Sequence, residues 1–336
     1  MRRLAVLTFF ALGCSAASEP SPLALDSSRE RTGTDSEADS ARPKLLASNG
    51  AGPNEAGPND TRPSEVSTEP RAPTSEEFAR YAWLQPEARV RRLEDVFVPP
   101  KGFVREKLSD KSFEAFLRGL PLRPAGTPVL SYAHGLLHKG DDPRIGAVAE
   151  LDVSPVDIQQ CADSVIRLHA EWKWSEGDKS SIAYHFLSGD LAKWPAFAGG
   201  SRPIIEGNKV RWAQNGKAAS DHVAFRKYLD LVFNYASTIS VDKMSSVPVE
   251  RDNIRAGDFF ILPGGPGHAI LMLDIVKNQS GKRMALLGQG YMPAQDFQVL
   301  RDHSGTGSVW FSLDGDNVDT PFWPVPFPWS SVRRMK

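Results

Sequence analysis

Between residues 15 and 73 the chain has nothing with which to build a core. The segment is dominated by Ser, Glu, Asp, Pro, Gly, Arg, Asn and Ala, carries no aromatic residue and shows no apolar periodicity. A segment of that composition cannot bury enough surface to offset the entropy of ordering it, so it is expected to be a disordered tether. Its root-mean-square span would be roughly 45 Å by the square-root rule for flexible chains. Folding is therefore confined to residues 74–336, about 260 residues, where apolar patterning begins near Thr74 and continues to the end.

What precedes the tether reads as an export signal. Arg2 and Arg3 come before an apolar run from Leu4 to Leu12, closed by Gly13-Cys14. The run is too short for a permanent membrane helix but fits the apolar core of a secretory signal, residues 1–13. ALGC resembles the lipobox of bacterial lipoproteins, which implies lipidation of Cys14 and a mature chain starting there, 14–73 being lipidated N-terminus and linker. Several acyl chains would anchor the protein firmly, since each buried methylene contributes about 0.8 kcal/mol. Ser15 after the cysteine points to the outer membrane, facing the periplasm. The alternative is an ordinary signal peptide cleaved nearby. The balance of 40 basic and 41 acidic side chains, a net charge of −1, gives no field to hold a nucleic-acid backbone.

Only two cysteines are present, Cys14 and Cys161. With Cys14 lipidated, Cys161 is a lone thiol in an exported protein, either buried and inert or reactive for a reason. SPVDIQQCADSVIRLHAEWKW carries the strongest helical pattern of the chain. Ser154 is its expected cap, Pro155 its first residue and Asp157 the partner in a capping box, which places Cys161 in the second turn. A second long helix is expected at DHVAFRKYLDLVFNYAS and a shorter one at SDKSFEAFLRGLP, stopped by Gly119. PVLSYAHGLLHKGDDPRIGAVAELDV reads as a hairpin turning at KGDD. DFFIL, HAILMLDIV and MALLGQGYM read as strands. Helices followed by an antiparallel sheet give an α+β class.

In RAGDFFILPGGPGHAILMLDIV the loop PGGPG delivers His268 to the start of a strand. A thiol nucleophile needs a base, and the base needs a polar group to fix its ring. Reflecting His268 across the hairpin turn near Gln279 and Ser280 lands close to 289–291, so Gln289 is the expected orienter, with Gln295 and Asp296 next. Equally, Ile158, Cys161, Ala162, Val165, Leu168, His169 and Trp172 form one helical stripe that describes a core thiol. His134 and His138 near Asp141 and Asp142 invite a metal, but on a strand two imidazoles four residues apart are some 13 Å apart. No helix follows PGGPG to bind a phosphate, and no cofactor is expected. Trp310, Trp323 and Trp329 suit a core or a lid.

QQCADSVIRLHAEW, GDFFILPGGPGHAILMLDIV and LLGQGYMPAQDFQVL resemble an uncharacterised bacterial lipoprotein family, domain of unknown function 4846, over about Gly102 to Trp310. Their order is similar to that of the NlpC and CHAP classes of papain-like cell-wall hydrolases: a helical Cys, a GD-plus-strand, a His opening a strand, then a polar third residue. That likeness implies a papain-like domain with helices packed on an antiparallel sheet. It assigns Cys161 as nucleophile, His268 as base and Gln289 as orienter of a thiol-dependent amide hydrolase or transferase acting on peptidoglycan. Gln160 resembles the glutamine beside the nucleophile in some CHAP domains. In those hydrolases the cysteine starts its helix, where the dipole lowers its pKa. Residues 175–250 are an insertion between Cys and His, expected to form a lid or substrate wall. The alternative function is a non-catalytic envelope lipoprotein that uses the same cleft to bind.

Overall fold

The computed structural model describes residues 69–302 and 307–336, which belong to one unit; the expected signal, the expected lipidation site Cys14 and nearly all of the expected tether lie outside the described residues. Seven helices follow in order: α1 Ser75–Arg80, α2 Leu93–Val96, α3 Phe113–Arg118, α4 Cys161–Ser175, α5 Trp194–Ala198, α6 His222–Tyr235 and the single turn α7 Thr238–Ser240. The central sheet has nine strands: β1 Phe103–Arg105, β2 Ile145–Val148, β3 Ser246–Pro248, β4 Phe259–Leu262, β5 His268–Asn278, β6 Arg283–Gln289, β7 Gln298–Leu300, β8 Trp310–Ser312 and β9 Val332–Met335. Their order is β3-β9-β4-β5-β6-β7-β2, with β1 beside the far half of β5 and β8 beside the first half of β6. Every pairing is antiparallel. The class is α+β, as expected.

Strand alternation sorts the core onto two faces. Ala269, Leu271 and Leu273 of β5 belong to the larger cluster with Val165, Ile166 and Leu168 of α4. Ile270 and Met272 face the other way, onto Leu287, Phe327 and Val332. Each fully buried Val, Ile or Leu contributes about 1.5–3 kcal/mol, so α4 is held mainly by this apolar contact. Asp274, fully buried on β5, is bracketed by Arg105 at 2.6 Å and Arg118 at 2.9 Å.

Every residue of α4 from Cys161 to Glu171 is buried, because α1, α3 and residues 175–250 cover the sides that the sheet does not. Helix α6 starts on the Asp221 cap, whose side chain accepts from Ala224 N–H, and packs Phe225 flat on Trp174 at 4.5 Å. His222 Nε2 lies 2.9 Å from Glu171, which also takes Arg167 at 2.9 Å. The insertion thus forms a wall behind the helix.

Two expectations are corrected. Helix α4 starts at Cys161 with Gln160 as cap, and residues 155–158 form a bend and turn instead of its first turn. Asp157 is drawn elsewhere, accepting Ala294 N–H at 2.7 Å and Gln160 Nε2–H at 3.0 Å. Asp163 supplies the acid of the first turn instead, accepting Gln160 N–H at 3.2 Å. The KGDD hairpin is also absent. Val129–Leu130 pairs with Leu136–His138 across a turn at 131–135, while β2 leaves to pair with β7.

Candidate active site

Cys161 is the first residue of α4, and its sulfur rests on the start of β5. Sγ lies 3.8 Å from the Gly267 carbonyl, toward which the thiol donates, and the N–H of Ala269 points at it from the other side of His268. The peptides on both sides of His268 therefore touch the sulfur. Close approach is possible because the neighbouring chain is glycine. A Cβ on Gly290 would lie 2.3 Å from Ser164 Oγ and 3.1 Å from the Gln160 carbonyl, and so would push the start of α4 away. The loop before His268 is braced by the insertion, since Thr238 Oγ1 accepts Gly264 N–H at 3.3 Å.

The imidazole of His268 is fully buried, and its Nε2 lies 2.7 Å from Gln289 Oε1. A carboxamide oxygen can only accept, so this bond puts the ring proton on Nε2 and leaves Nδ1 as the acceptor. Nδ1 has no partner among the described residues, and no hydrogen bond joins it to the thiol in this structure. The ring is stacked on Trp323, centroids 4.7 Å apart, and meets Tyr291 edge-on at 5.0 Å. Tyr291 O–H donates to the Phe322 carbonyl at 2.7 Å, and Phe322 is held in the left-handed region with the Arg144 guanidinium over its ring at 4.2 Å. The tail around Trp323 thus covers the histidine.

Burial controls the ionisation here. It pushes the Cys161 thiol up to about 12, aided by the charge of Asp163, against the opposing N–H groups of Ala269, Ala162 and Cys161 itself. It pushes His268 down to about 4, partly countered by Gln289. Covered in this way, both groups are neutral at pH 7.

Gln295 and Asp296, the other candidates for the third position, lie elsewhere. Gln295 bridges to Ser131, and Asp296 accepts Leu130 N–H at 2.8 Å and pairs with Arg123 at 3.0 Å. The Gln160 side chain is turned to Asp157. His138 Nδ1 lies 3.3 Å from Asp142 and its ring packs on Phe322, while His134 sits exposed at the 131–135 turn with φ +61°. No group of three or more metal-ligating side chains occurs among the described residues.

Sequence reasoning did not single out Asp163 or Tyr291. The DxxxR spacing after the cysteine reads as an ordinary helix face, and Tyr291 follows a strand whose end is set only by its neighbour. Comparisons with curated proteins and with solved structures found no match. A family model described as domain of unknown function 4846 matches residues 93–334, well over half of the chain, and the chain belongs to that family.

Proposed function

We propose that this protein is a thiol-dependent amide hydrolase or transferase whose substrate is a cell-wall peptide. One observation carries the reading. A lone cysteine at a helix start is packed on both peptides flanking a histidine, whose Nε2 is held by a carboxamide and whose Nδ1 is open. In the reaction, Cys161 Sγ bonds to the substrate carbonyl carbon and its proton passes to His268 Nδ1. The backbone N–H groups at the start of α4, which have no partner within the helix, face the developing oxyanion. The C–N bond breaks as His268 returns the proton to the leaving amine, giving a thioester. Water, or an amine in the transferase case, then attacks it with His268 as base, and the C–S bond breaks to restore the thiol.

The depressed helix-start pKa of an active thiol requires Trp323 to leave His268 and admit water or substrate. Its closed geometry favours a second reading, in which the cleft only binds. One assay separates the two. Incubated with peptidoglycan, the full chain is expected to release soluble peptide and Cys161→Ala to release none while still sedimenting with the wall. Binding without release by the wild type establishes the second reading and removes the first.

The place of action in this proposal is the envelope, with Cys14 carrying the lipid and the tether setting the reach to the wall. Wild type is expected to incorporate labelled palmitate and Cys14→Ser to lose it. An unlabelled wild type removes the anchor.

A further inference from the structure

A cavity of about 310 Å³ lies between α3, the second half of α4, residues 255–258 before β4 and the end of β9. That is the low end of the range for small-molecule pockets. His169 and Lys173 line it two to three turns beyond Cys161 on α4, roughly 12–18 Å at 1.5 Å per residue. The cavity is therefore separate from the candidate active site.

Its inner surface is aromatic. Phe113 meets His169 edge-on at 5.4 Å and Trp172 at 5.3 Å, and Trp172 donates its indole N–H to the Lys111 carbonyl at 2.9 Å. His169 is 4% exposed and has one ring nitrogen engaged, Nδ1 at 2.9 Å from the Tyr184 hydroxyl. Its Nε2 has no partner among the described residues. Burial pushes this imidazole down to about 3, so at neutral pH it is uncharged and Nε2 is left to form one hydrogen bond. A buried polar atom of this kind is costly unless something in the cavity meets it.

The rim is cationic. Lys173, Arg255, Arg334 and Lys336 line the cavity against Glu114 and Asp258, four positive side chains to two negative. A terminal carboxylate on Lys336, counted against them, still leaves one positive charge. Arg334 is paired with Asp258 at 2.6 Å. Arg255 meets Glu114 through Nε alone, at 3.2 Å, and its Nη1 and Nη2 have no partner among the described residues. Lys173 reaches only main-chain oxygens, of Ser181 at 3.5 Å and Lys336 at 3.3 Å.

We propose that this cavity binds a small organic carboxylate. Its apolar body lies on the Phe113 and Trp172 rings, a polar group meets His169 Nε2, and the carboxylate takes the open guanidinium edge of Arg255 and the Lys173 ammonium. A guanidinium edge presents parallel N–H groups that match a carboxylate. The rings alone would accept any apolar molecule of the right size; the excess positive charge selects the anion. The inference does not rest on the reaction proposed above.

The test is ligand-observed NMR of the full chain with phenylpropionate, hexanoate and the neutral amide of each. At least one carboxylate is expected to bind in the millimolar range or tighter, as suits so small a ligand. Its amide should bind about tenfold more weakly, having lost the charge-assisted contact. Arg255→Gln changes a side chain that is 57% exposed and is expected to fold, as is Lys173→Gln at a half-buried position. Each should weaken carboxylate binding about five- to tenfold, and added salt should weaken it in wild type. Cys161→Ala should bind as wild type does. No binding of either carboxylate at millimolar concentration, equal binding of acid and amide, or unchanged affinity in both rim variants overturns the inference. Loss of binding in Cys161→Ala overturns it too, by placing the ligand at the other site. Carboxylate binding by a protein that never releases peptide upholds it and removes the catalytic reading alone.

Discussion

Replacing His268 with alanine is expected to slow peptide release by about 10²–10⁴-fold, the usual contribution of a positioned acid–base group. The effect should fall mainly on kcat, because in the proposed reaction the fully buried ring would handle a proton in the transition state and give substrate little to bind. Gln289→Ala should have a smaller effect in the same direction, since it frees the ring without removing it. The pH profile offers a second reading of the same pair. Burial pushes His268 down to about 4, so in the covered site the imidazole stays unprotonated, and able to act as base, well into mild acid. The acid limb of kcat/KM, which reports the free, covered enzyme, should therefore lie nearer pH 4 than the 6.5 of a free imidazole. The same shift acts on stability. Because the folded pKa is depressed, its contribution is fully present above pH 6.5 and is lost as pH falls from 6.5 toward 4. Equal release by His268→Ala and wild type would dismiss His268 as the base.

The candidate pair was legible in the sequence for reasons of register. Counting back across the turn between HAILMLDIV and MALLGQGYM brings Gln289 near His268, and the two side chains lie 2.7 Å apart. Gln289 is one strand over and two residues along from the position opposite the histidine, since Leu271 pairs with Gly288. The start of α4 was not legible. Ser154, Pro155 and Asp157 carry a good local capping signal, but Asp157 is claimed by Ala294 N–H from a loop far along the chain, and a contact of that range leaves no local trace. For the same reason β2 was assigned to a hairpin with its sequence neighbour when its partner is β7. Gln298, the register partner of Gln289 on β7, was beyond counting altogether. Its place beside Gln289 depends on a third strand joined by the irregular loop 290–297, which has no turn rule to reflect across. The covering of His268 by Trp323 belongs to the same class, since the Pro-rich tail that carries it returns over a sheet already formed.

Asp163 gives the second large effect, and its sign is opposite to that of most buried-residue substitutions. Its carboxyl is 8% exposed, Oδ2 accepts Gln160 N–H at 3.2 Å, and Oδ1 has no partner among the described residues. Burial, opposed only by the N–H groups of Gln160 and Asp163, pushes it up to about 8. A raised folded pKa means that the favourable contribution is complete below the unfolded value, near 3.8, and is lost progressively as pH rises to about 8. At pH 7 the penalty is on the order of 4 kcal/mol, since each tenfold change in proton affinity is worth about 1.4 kcal/mol. Asparagine keeps a carbonyl oxygen for Gln160 N–H and never ionises. Asp163→Asn is therefore expected to be more stable than wild type by roughly that amount at pH 7 and nearly equal to it near pH 3, as read from urea unfolding at the two pH values. It should also change the thiol. The Asp163 charge adds to the rise in the Cys161 pKa, so above about pH 8 the variant should alkylate at Cys161 faster than wild type. Destabilisation at pH 7 that shrinks toward pH 3 would show instead that the carboxylate is ionised and paired in the native protein, a charge at the start of α4 that favours the helix while opposing a thiolate two residues away.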